Sequence, residues 1–586
     1  MSSAPVRRTG LAALATSLVI GGAVAGAGSA MADQHSFDLD RIAGDNRYST
    51  SAKAADAFGA ADTVIVASGE PGRYPDALTA NYLAGLRDAP VVLTRKDRTP
   101  ADVAEAIRNT GAQNVIIVGG ETAVSAEQEQ QLSDDYTVSR LSGDDRFGTA
   151  AAVIDEGGNA GTDTALLATG MNFPDALGGG PASFAEGMPL AITRVNDMPD
   201  NVLTELKQAG ISKVLVLGGE SAVSQAVVDE LEDAEITVEK RFDGEDRAET
   251  STLLADHAIA EWGFSDSAVN VASGYVSGDG ADALGGAALT GQQERALLIT
   301  KSDDTAGEAV LGFLGTHGDT LTEGTIFGGE AALTADVETD MEKAAMGSGA
   351  QNAESGALYD DVQAAIEDAE EGDTITVFGT ENAGFSVDKD DLTIQGEPGA
   401  AVNEAIQIDG VDGVTITGLT ITPSSVANTV AGVYLNDAED IVITKNTFTG
   451  EDKTGAGVIN VTGGAEEVAE ISGNTFRGLM QGVFANPSAE FTITDNVFRS
   501  NIAASANDAP STITDNRFID NGEGIGVSVE GATIEENFFD GNEDAHVRDY
   551  TGDEDAYDLD NVIVINDFAD EVMVTEDGNA IVDDES

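Results

Sequence analysis

Residues 140–149 read Arg140-Leu-Ser-Gly-Asp-Asp-Arg-Phe-Gly-Thr149, and this arginine motif organises the first half of the chain. A related copy lies upstream as Arg41-Ile-Ala-Gly-Asp-Asn-Arg-Tyr-Ser-Thr50, and another lies downstream as Arg241-Phe-Asp-Gly-Glu-Asp-Arg-Ala-Glu-Thr250. Because the copies start at positions 41, 140 and 241, the repeat is about 100 residues long. A period of this length indicates a domain-sized unit rather than a short solenoid repeat.

Each copy alternates short apolar segments with helical segments in the same order. In the first copy, residues 63–67, 91–94 and 115–118 are predicted strands. The PDAL motif, Pro75-Asp-Ala-Leu78, opens a helix, because proline suits the first helical turn. The third copy is looser and has Ala281 in place of this proline. Continuous apolar strands between helices predict a parallel sheet that is covered on both faces.

Together these motifs resemble the cell-wall-binding repeat type 2 family. The arginine motif, the PDAL motif and a turn such as Gly119-Gly120-Glu121 occur in this order in tandem copies over roughly residues 39–340. The resemblance implies a pseudo-threefold of three α/β units that holds a secreted protein non-covalently on a cell-surface glycopolymer. It also implies that a short retention motif after the PDAL helix takes part in binding. Here that motif consists of Pro90, Val91 and Val92 in copy one, Pro189, Leu190 and Ala191 in copy two, and a degenerate Ala296, Leu297 and Leu298 in copy three.

Arginines and aspartates of these motifs are further candidates for polymer binding. The arginines are Arg41, Arg47, Arg140, Arg146, Arg241 and Arg247, and the aspartates of the PDAL motif are Asp76, Asp175 and Asp282. The forked guanidinium group of arginine suits carboxylate or phosphate groups of a polymer. The candidate polymer-binding residues are Arg47, Arg146, Arg247, Asp76 and Asp175. The alternative is that each arginine pairs internally, with Asp45, Asp144 or Glu245 or with the PDAL aspartate. Recurrence in the copies fits both interpretations.

The second half of the chain has a different, shorter repeat. Asn446, Asn474, Asn496, Asn516 and Asn537 each follow a short apolar segment and precede a phenylalanine by two positions. The pattern resembles right-handed parallel β-helix repeats of the pectate-lyase-like and periplasmic-repeat type. Stacked coils bury columns of Ile, Val and Phe that one coil cannot bury alone. We interpret the asparagines as structural, because they tolerate left-handed turns and form hydrogen-bonded ladders.

An acidic column precedes the same asparagines. Asp495, Asp515 and Glu536 would stack roughly 5 Å apart in successive coils. Such a column could hold a cation, or it could serve a polysaccharide lyase or hydrolase that needs paired carboxylates. The alternative is a solvated acidic face. A lyase would also need a basic residue over the groove, and lysine is scarce in this half of the chain.

Composition limits the partners and the chemistry. The chain has 586 residues and 29 Lys+Arg against 104 Asp+Glu, which gives a formal net charge of −75. Such a surface repels nucleic acids and anionic membranes. There is no cysteine, so disulfides, thiolate nucleophiles and cysteine-ligated zinc are excluded. The four histidines form no ligand motif, and aromatics are too few for a strong sugar-stacking platform.

The N-terminal segment has the features of an export signal. Arg7 and Arg8 precede an apolar, small-residue stretch, and Ala30-Met31-Ala32 is a cleavage motif before Asp33. The arginine pair leaves both the general and the twin-arginine route open. After cleavage, no remaining segment is long and apolar enough to span a membrane.

The sequence predicts a secreted cell-wall or cell-surface protein that is anchored by its triple repeat and displays a β-helix. The domains are a signal peptide (1–32), repeats at 33–139, 140–240 and 241–344, a linker (345–356), the β-helix (357–575) and an acidic tail (576–586). The alternatives are a tethered lyase or hydrolase, for which no catalytic residue is assigned, and a structural surface-layer component. No cofactor is expected apart from a bridging cation, and self-association stays open.

The net charge predicts a halophilic protein whose stability depends on salt, and the alternative is an ordinary acidic secreted protein. We expect the melting temperature to rise from dilute buffer to about 2 M KCl, because the Debye length falls to ~3 Å at 1 M and the self-repulsion is screened. Thermal unfolding followed by circular dichroism measures this, with sucrose of matched osmolarity as the control. Equal stability in dilute buffer and in concentrated KCl would contradict the interpretation.

Overall fold

The computed structural model describes most of the chain between residues 37 and 581. The described residues are 37–171, 174–274, 280–427, 429–450, 453–461, 469–485, 489–507, 511–527, 532–543, 545–549, 562–564, 567–568, 574–576 and 579–581. The predicted signal peptide (1–32) and most of the predicted acidic tail (576–586) lie outside them. None of the described helices combines the length and the apolar character that a bilayer span requires.

The first half of the chain folds into three α/β units with the same order of elements. Unit 1 contains α1 (Arg47–Phe58), β2 (Thr63–Ser68), α2 (Tyr74–Arg87), β3 (Val91–Thr94), α3 (Ala101–Thr110), β4 (Asn114–Val118) and α4 (Ala126–Ser133). Unit 2 contains α5 (Arg146–Gly157), β6 (Thr164–Thr169), a 3₁₀ turn (Pro174–Ala176), α6 (Gly179–Ala185), β7 (Leu190–Thr193), α7 (Asp200–Gln208), β8 (Lys213–Leu217) and α8 (Gln225–Asp233). Unit 3 contains α9 (Arg247–His257), a π-helical turn (Ala258–Trp262), β10 (Ala268–Ser273), α10 (Ala281–Gln292), β11 (Ala296–Thr300), α11 (Glu308–His317), β12 (Glu323–Phe327) and α12 (Ala335–Met346). A linking strand precedes each unit: β1 (Asp38–Ile42), β5 (Thr137–Leu141) and β9 (Thr237–Phe242).

Each unit carries a four-stranded parallel sheet whose fourth strand is a linking strand. The strand order is β3-β2-β4-β5 in unit 1 and β7-β6-β8-β9 in unit 2, so the linking strand completes the sheet of the unit before it. Unit 3 takes its fourth strand from the start of the chain, in the order β1-β12-β10-β11. The three units therefore close into a ring, and the predicted α/β repeats with parallel sheets are confirmed.

A tight turn inside each arginine motif separates the linking strand from the first helix of the next unit. Asn46, Asp145 and Asp246 cap helices α1, α5 and α9, because their side-chain oxygens accept hydrogen bonds from backbone N–H groups of the first turn. Glycine occurs before the cap at positions 44, 143 and 244, where a Cβ would lie 2.2, 2.3 and 2.4 Å from atoms of the following helix. One motif thus encodes a strand on one unit and a helix on the next.

The helices α2, α6 and α10, which follow or contain the PDAL motifs, pack against one another at the centre of the ring. Small residues allow this approach. A Cβ at Gly85 would lie 2.0 Å from the carbonyl oxygen of Phe184, and one at Gly180 would lie 2.7 Å from the Cβ of Ala287. One apolar core spans units 1 and 2 and part of unit 3, and a second core fills the rest of unit 3.

The second half of the chain is a β-helix built from three long sheets. It begins with β13 (Gly349–Asn352), β14 (Leu358–Tyr359) and helix α13 (Val362–Asp368). Sheet 1 continues through β15 (Thr374–Phe378), β18 (Thr393–Gly396), β21 (Thr415–Thr417), β25 (Ile441–Thr444), β28 (Ala469–Ser472), β31 (Phe491–Thr494), β34 (Thr512–Thr514), β37 (Thr533–Glu535) and β40 (Val562–Val564). Sheet 2 contains β16 (Thr380–Glu381), β19 (Ala401–Val402), β22 (Thr420–Ile421), β26 (Thr447–Thr449), β29 (Thr475–Arg477), β32 (Val497–Arg499), β35 (Arg517–Ile519), β38 (Phe538–Asp540) and β41 (Asp567–Phe568). Sheet 3 contains β17 (Phe385–Val387), β20 (Ile406–Asp409), β23 (Ser424–Val426), β24 (Thr429–Asn436), β27 (Ala456–Asn460), β30 (Gln481–Ala485), β33 (Ala503–Asn507), β36 (Glu523–Val527), β39 (Ala545–Asp549), β42 (Val574–Glu576) and β43 (Asn579–Ile581).

Identical side chains stack along the β-helix. The rings of Phe448, Phe476, Phe498, Phe518 and Phe539 lie nearly parallel, with centroids 4.7–5.0 Å apart. The asparagines that precede them form the predicted ladder, in which the backbone N–H of each donates to the side-chain oxygen of the next at 2.8–3.0 Å. A second ladder links Asn501, Asn521 and Asn542. These buried asparagines therefore hold neighbouring coils in register.

The left-handed residue of each turn is not the ladder asparagine. Positive φ occurs one position earlier, at Lys445, Asp495, Asp515 and Glu536, with φ between 56° and 58°. The expectation that asparagine supplies the left-handed conformation was wrong for this ladder, because its amide is committed to hydrogen bonds inside the coil. The preceding side chain points outward.

The predicted linker, residues 345–356, contains strand β13. This strand pairs antiparallel with both β14 and β15, so it forms part of the first β-helix sheet. The side chain of Lys343 on α12 donates to Glu397 at 2.6 Å across the same region. The domain boundaries given above stay predictions.

The ladder makes a specific stability prediction. Asn496 is fully buried, and its side chain binds Asn474, Ile471, Thr494 and Asn516. We expect Asn496→Ala to destabilise the β-helix by about 3 kcal/mol, because unpaired buried polar groups cost ~1–3 kcal/mol each. The midpoint of urea unfolding measures the loss.

The neighbouring Asp495→Asn provides the matched control. Asp495 is exposed and has φ 57°, a conformation that asparagine tolerates, so we expect a change below about 0.5 kcal/mol. Similar midpoints for the two variants would contradict a stabilising role of the ladder.

Candidate functional site

The arginine and PDAL motifs of different units meet at three places, which we call the junctions. The 1–2 junction contains Asp76 and Gly119 of unit 1 with Arg146 and Thr149 at the start of unit 2. The equivalent sets are Asp175, Gly218 and Arg247 at the 2–3 junction, and Asp282, Gly328, Arg47 and Thr50 at the 3–1 junction. Each junction lies where parallel strands end at their carboxyl side.

The first arginine of each motif ties the linking strand to the unit before it. Arg41 donates to the carbonyl oxygen of Gly328 at 3.0 Å, Arg140 to that of Gly119 at 2.6 Å, and Arg241 to that of Gly218 at 2.9 Å. These glycines are the first residues of the three Gly-Gly turns. Arg41 also pairs with Glu338, and Arg140 pairs with Glu129 at 2.8 Å. Arg41 and Arg140 therefore pair with acids on the last helix of the preceding unit, which are not among the internal partners considered in the sequence analysis.

The second arginine of each motif binds the end of the first strand of its own unit. Arg47, Arg146 and Arg247 donate to the carbonyl oxygens of Gly69, Gly170 and Gly274, respectively. Arg47 also donates to the hydroxyl of Tyr74. All three arginine side chains stay partly exposed. They lie close enough to the PDAL aspartate of the preceding unit to act on its charge.

The PDAL aspartates are carboxyl groups that burial makes hard to ionise. Burial raises the pKa of Asp76 to about 7, against the opposing effects of Arg146, Arg73 and a hydrogen bond from Thr149. Burial also raises the pKa of Asp282, opposed by a hydrogen bond from Thr50 and by Arg47. For Asp175, burial raises the pKa and Arg247 lowers it. A protonated aspartate at a junction can donate a hydrogen bond as well as accept one.

Each aspartate lies against the first glycine of the Gly-Gly turn in its own unit. A Cβ on Gly119 would lie 2.9 Å from the Oδ2 atom of Asp76, and the backbone there has φ +125°. Glycine is needed at this position for both the space and the conformation. The residue that sequence reasoning missed is the threonine that ends the arginine motif, which donates to the PDAL aspartate at two junctions, from Thr149 to Asp76 and from Thr50 to Asp282. Its signal was identity in all three copies: Thr50, Thr149 and Thr250.

The 3–1 junction contains an open cavity of about 220 Å³. Arg47, Asp282, Asn46 and Gly329 are among its lining residues. The Oδ1 atom of Asp282 is buried and has no hydrogen-bond partner among the described residues. The cavity is smaller than the ~300–1,000 Å³ of typical ligand pockets, so it can take a part of a polymer and not a long stretch of one.

The retention motif lies inside the fold. Strands β3 and β7 are the edge strands of their sheets, and the side chains of Pro90, Val91, Val92, Pro189, Leu190 and Ala191 are buried. Ser51 of α1 covers the outer edge of β3, where its hydroxyl accepts a hydrogen bond from the backbone N–H of Leu93 at 3.0 Å. Direct contact between these side chains and a polymer does not fit this burial, because the unit would have to open. The assignment of this motif to polymer binding stays a prediction.

The acidic column of the β-helix occupies exposed turns. Asp495, Asp515 and Glu536 are exposed and adopt the left-handed conformation, which favours Asp, Asn and Gly over most residues. Within the described part of the chain, no group of three or more acidic or histidine side chains converges as a metal site would require. The metal assignment of these residues stays a prediction, and their turn geometry accounts for them without a cation.

Comparison with protein families divides the chain in two. Residues 41–129, 140–228 and 241–338 match the model of cell wall binding domain 2 (CWB2). Residues 366–566 match the model described as periplasmic copper-binding protein (NosD).

Two curated relatives match about half of the chain. N-acetylmuramoyl-L-alanine amidase LytC of Bacillus subtilis (strain 168) is 27% identical over 288 residues, which cover 48% of this chain and 54% of the relative. The amidase enhancer of the same organism is 27% identical over 271 residues, which cover 46% and 36%. The chain therefore spans about half or less of the length of these relatives.

Two solved structures resemble the fold. Cwp8 from Clostridium difficile is 26% identical, with a TM-score of 0.47 and coverage of 53% of this chain and 52% of the other. Cwp6 from Clostridium difficile is 20% identical, with a TM-score of 0.46 and coverage of 61% and 55%.

Copper binding does not fit the residues of this β-helix. Imidazole, thiolate and thioether groups are the side chains that favour copper over other metals. The chain has no cysteine, and residues 366–566 contain a single histidine, His546, and a single methionine, Met480. His546 is on β39 and Met480 directly precedes β30, and with β33 and β36 between them these strands are about 14 Å apart.

The matches to the two family models assign the two halves of the chain. Residues 41–338 belong to the cell wall binding domain 2 family as three tandem copies, and residues 366–566 form a parallel β-helix that matches the NosD model.

Proposed function

We propose that this protein is retained non-covalently on a glycopolymer of the cell envelope through its ring of three units, and that it displays the β-helix on the cell surface. The observation that carries the proposal is the match of all three repeats to cell wall binding domain 2. Secretion through an N-terminal signal peptide is part of the same proposal.

The junctions are the proposed polymer contacts. In parallel α/β sheets, ligands bind in crevices outside the carboxyl ends of the strands, and the cavity of the 3–1 junction is such a crevice. A half-exposed arginine there lies beside a buried aspartate of raised pKa, so charged and neutral donors occur together. This combination suits a polymer with acidic and hydroxyl groups, because the charged arginine can donate to the acidic groups and the neutral aspartic acid can bind the hydroxyl groups.

Threefold repetition strengthens weak contacts. Once one junction holds a polymer chain, the next junction binds it at a high effective concentration, so the overall affinity exceeds that of a single site. This is useful for a protein of net charge −75, because long-range repulsion from an anionic polymer opposes each contact. Screening by salt, or bridging cations, would reduce that repulsion.

Retention on isolated envelopes tests the anchor. We expect the full-length protein to co-sediment with purified envelopes and to stay in the supernatant after the glycan has been extracted from them. The fraction bound is measured across a protein titration. Unchanged binding to glycan-free envelopes would overturn the proposal.

Substitution of the junction arginines tests the proposed contacts. The triple variant Arg47→Lys, Arg146→Lys and Arg247→Lys keeps the charge but loses the fork that binds oxygens in pairs. We expect at least tenfold weaker envelope binding, which corresponds to about 1.4 kcal/mol or more. A thermal melt shows whether the ring stays folded.

The matched control is Arg87→Lys. This arginine is on α2, outside the junctions, and its exposed side chain pairs with Glu156 at 2.9 Å. Its envelope binding should equal that of the unmodified protein. A folded triple variant that also binds equally well would exclude the junction arginines from the contact.

A further inference from the structure

We propose that the outward face of sheet 2 in the β-helix binds an anionic polysaccharide chain through Arg477, Arg499 and Arg517. We call these residues the arginine strip. The site is separate from the junctions, and it adds a second polysaccharide contact to a protein that the ring already anchors.

The register of sheet 2 brings the three arginines together. Arg477 on β29 pairs directly with Arg499 on β32, and Arg517 on β35 pairs with Val497, two residues before Arg499. Neighbouring strands lie about 4.8 Å apart, so the guanidinium groups are carried by three successive coils along the axis. The alternate residues Phe476, Phe498 and Phe518 point inward, so the arginines point to solvent.

Each arginine is held by one neighbour and stays exposed. The Nε atom of Arg477 donates to the hydroxyl of Thr449 at 3.0 Å, and the guanidinium of Arg517 lies 4.6 Å from the ring centre of Phe538. Arg499 pairs with Asp520 at 4.0 Å, with side-chain exposures of 54% and 61%. An ion pair this long and this exposed contributes little, so it does not compete strongly with an anionic ligand.

Packing does not explain the strip. Like charges that face each other across neighbouring strands destabilise a sheet. The chain has only 29 Lys+Arg against 104 Asp+Glu, and it places two arginines in direct register and a third beside them. A bound anion removes this repulsion and gives the arrangement a physical reason.

The rest of the face is uncharged. From β16 to β35, the outward positions of the described strands carry no carboxylate. They are Thr380, Ala401, Thr420, Thr447, Thr449, Thr475 and Val497, followed by Ile519 beside the arginines. Acids flank the face in the turns: Asp495 and Asp515 lie two residues before β32 and β35, Asp520 follows β35, and Asp540 ends β38. Threonine hydroxyls in rows can accept and donate hydrogen bonds to sugar hydroxyls.

The chemistry favours a linear polysaccharide with a carboxylate on successive sugars. Arginine binds carboxylates through two parallel hydrogen bonds, and a row of arginines along the axis matches a row of acidic groups along a chain. Attraction at contact range persists in high salt, where the Debye length is ~3 Å and the net negative charge of the protein is screened. An acidic polypeptide would offer carboxylates but no ring hydroxyls for the threonine rows.

Binding of defined polymers to the full-length protein tests the proposal. The probes are polygalacturonate, neutral dextran and polyglutamate in about 0.5 M KCl, where long-range forces are screened. We expect polygalacturonate to bind and dextran not to bind. The variant Arg477→Gln, Arg499→Gln and Arg517→Gln should bind polygalacturonate at least tenfold more weakly, with an unchanged unfolding midpoint because the three side chains are exposed.

A matched triple variant controls for net charge. Arg87→Gln, Arg98→Gln and Arg108→Gln removes three exposed arginines of unit 1 and should bind polygalacturonate like the unmodified protein. Single Arg499→Gln provides the test if the triple strip variant fails to fold. Equal binding by the strip variants and the unmodified protein, or no binding of polygalacturonate by the unmodified protein, would overturn the proposal. Polyglutamate bound as tightly as polygalacturonate would overturn the assignment to a polysaccharide. Envelope retention should be the same in both triple variants, which separates a failure of the strip from a failure of the anchor.

Discussion

The ring depends on one constraint, namely that each arginine motif belongs to two units at once. Its first arginine is on a strand that completes the preceding sheet, and its second is on a helix of the next unit. The turn between the two arginines contains a glycine whose position has no space for a Cβ atom, and the side chain two residues later caps the first turn of the helix. Because β1 fills the same position on unit 3, the ring has no unit that can be removed without leaving an open sheet edge.

The same constraint places chemistry at the junctions. A strand shared between units brings the Gly-Gly turn of one unit to within reach of the arginine and threonine of the next. The PDAL aspartate then lies between the Gly-Gly turn of its own unit and the arginine of the next, and burial rather than a charged neighbour dominates its pKa. These groups hold the ring together and also line its crevices, so a structural role and a binding role do not exclude each other.

Local sequence patterns predicted the helices, the strands and the ladder, but they did not predict which sheet each linking strand joins. The strands, the helices opened by Pro75 and the asparagine ladder follow from apolar runs, turn chemistry and periodicity. The pairing of β5 with the sheet of unit 1 could not be predicted in this way. The sequence of residues 137–141 indicates a strand but does not indicate which sheet the strand joins. The resemblance implied that the retention motif takes part in binding, whereas a run such as Val91-Val92 at a strand is typical of a core, and its side chains are buried here.

Repetition also explains why the two exposed columns of the β-helix have different meanings. A side chain at one position of a coil recurs in the next coil whether or not it has a task. The column of Asp495, Asp515 and Glu536 recurs at a position of positive φ, where a small set of residues is favoured, so backbone geometry is sufficient to explain it. Arg477 and Arg499 are on extended strands that accept most side chains. Since like charges in register destabilise a sheet, backbone geometry does not favour this alignment, and the proposed polysaccharide contact would account for it.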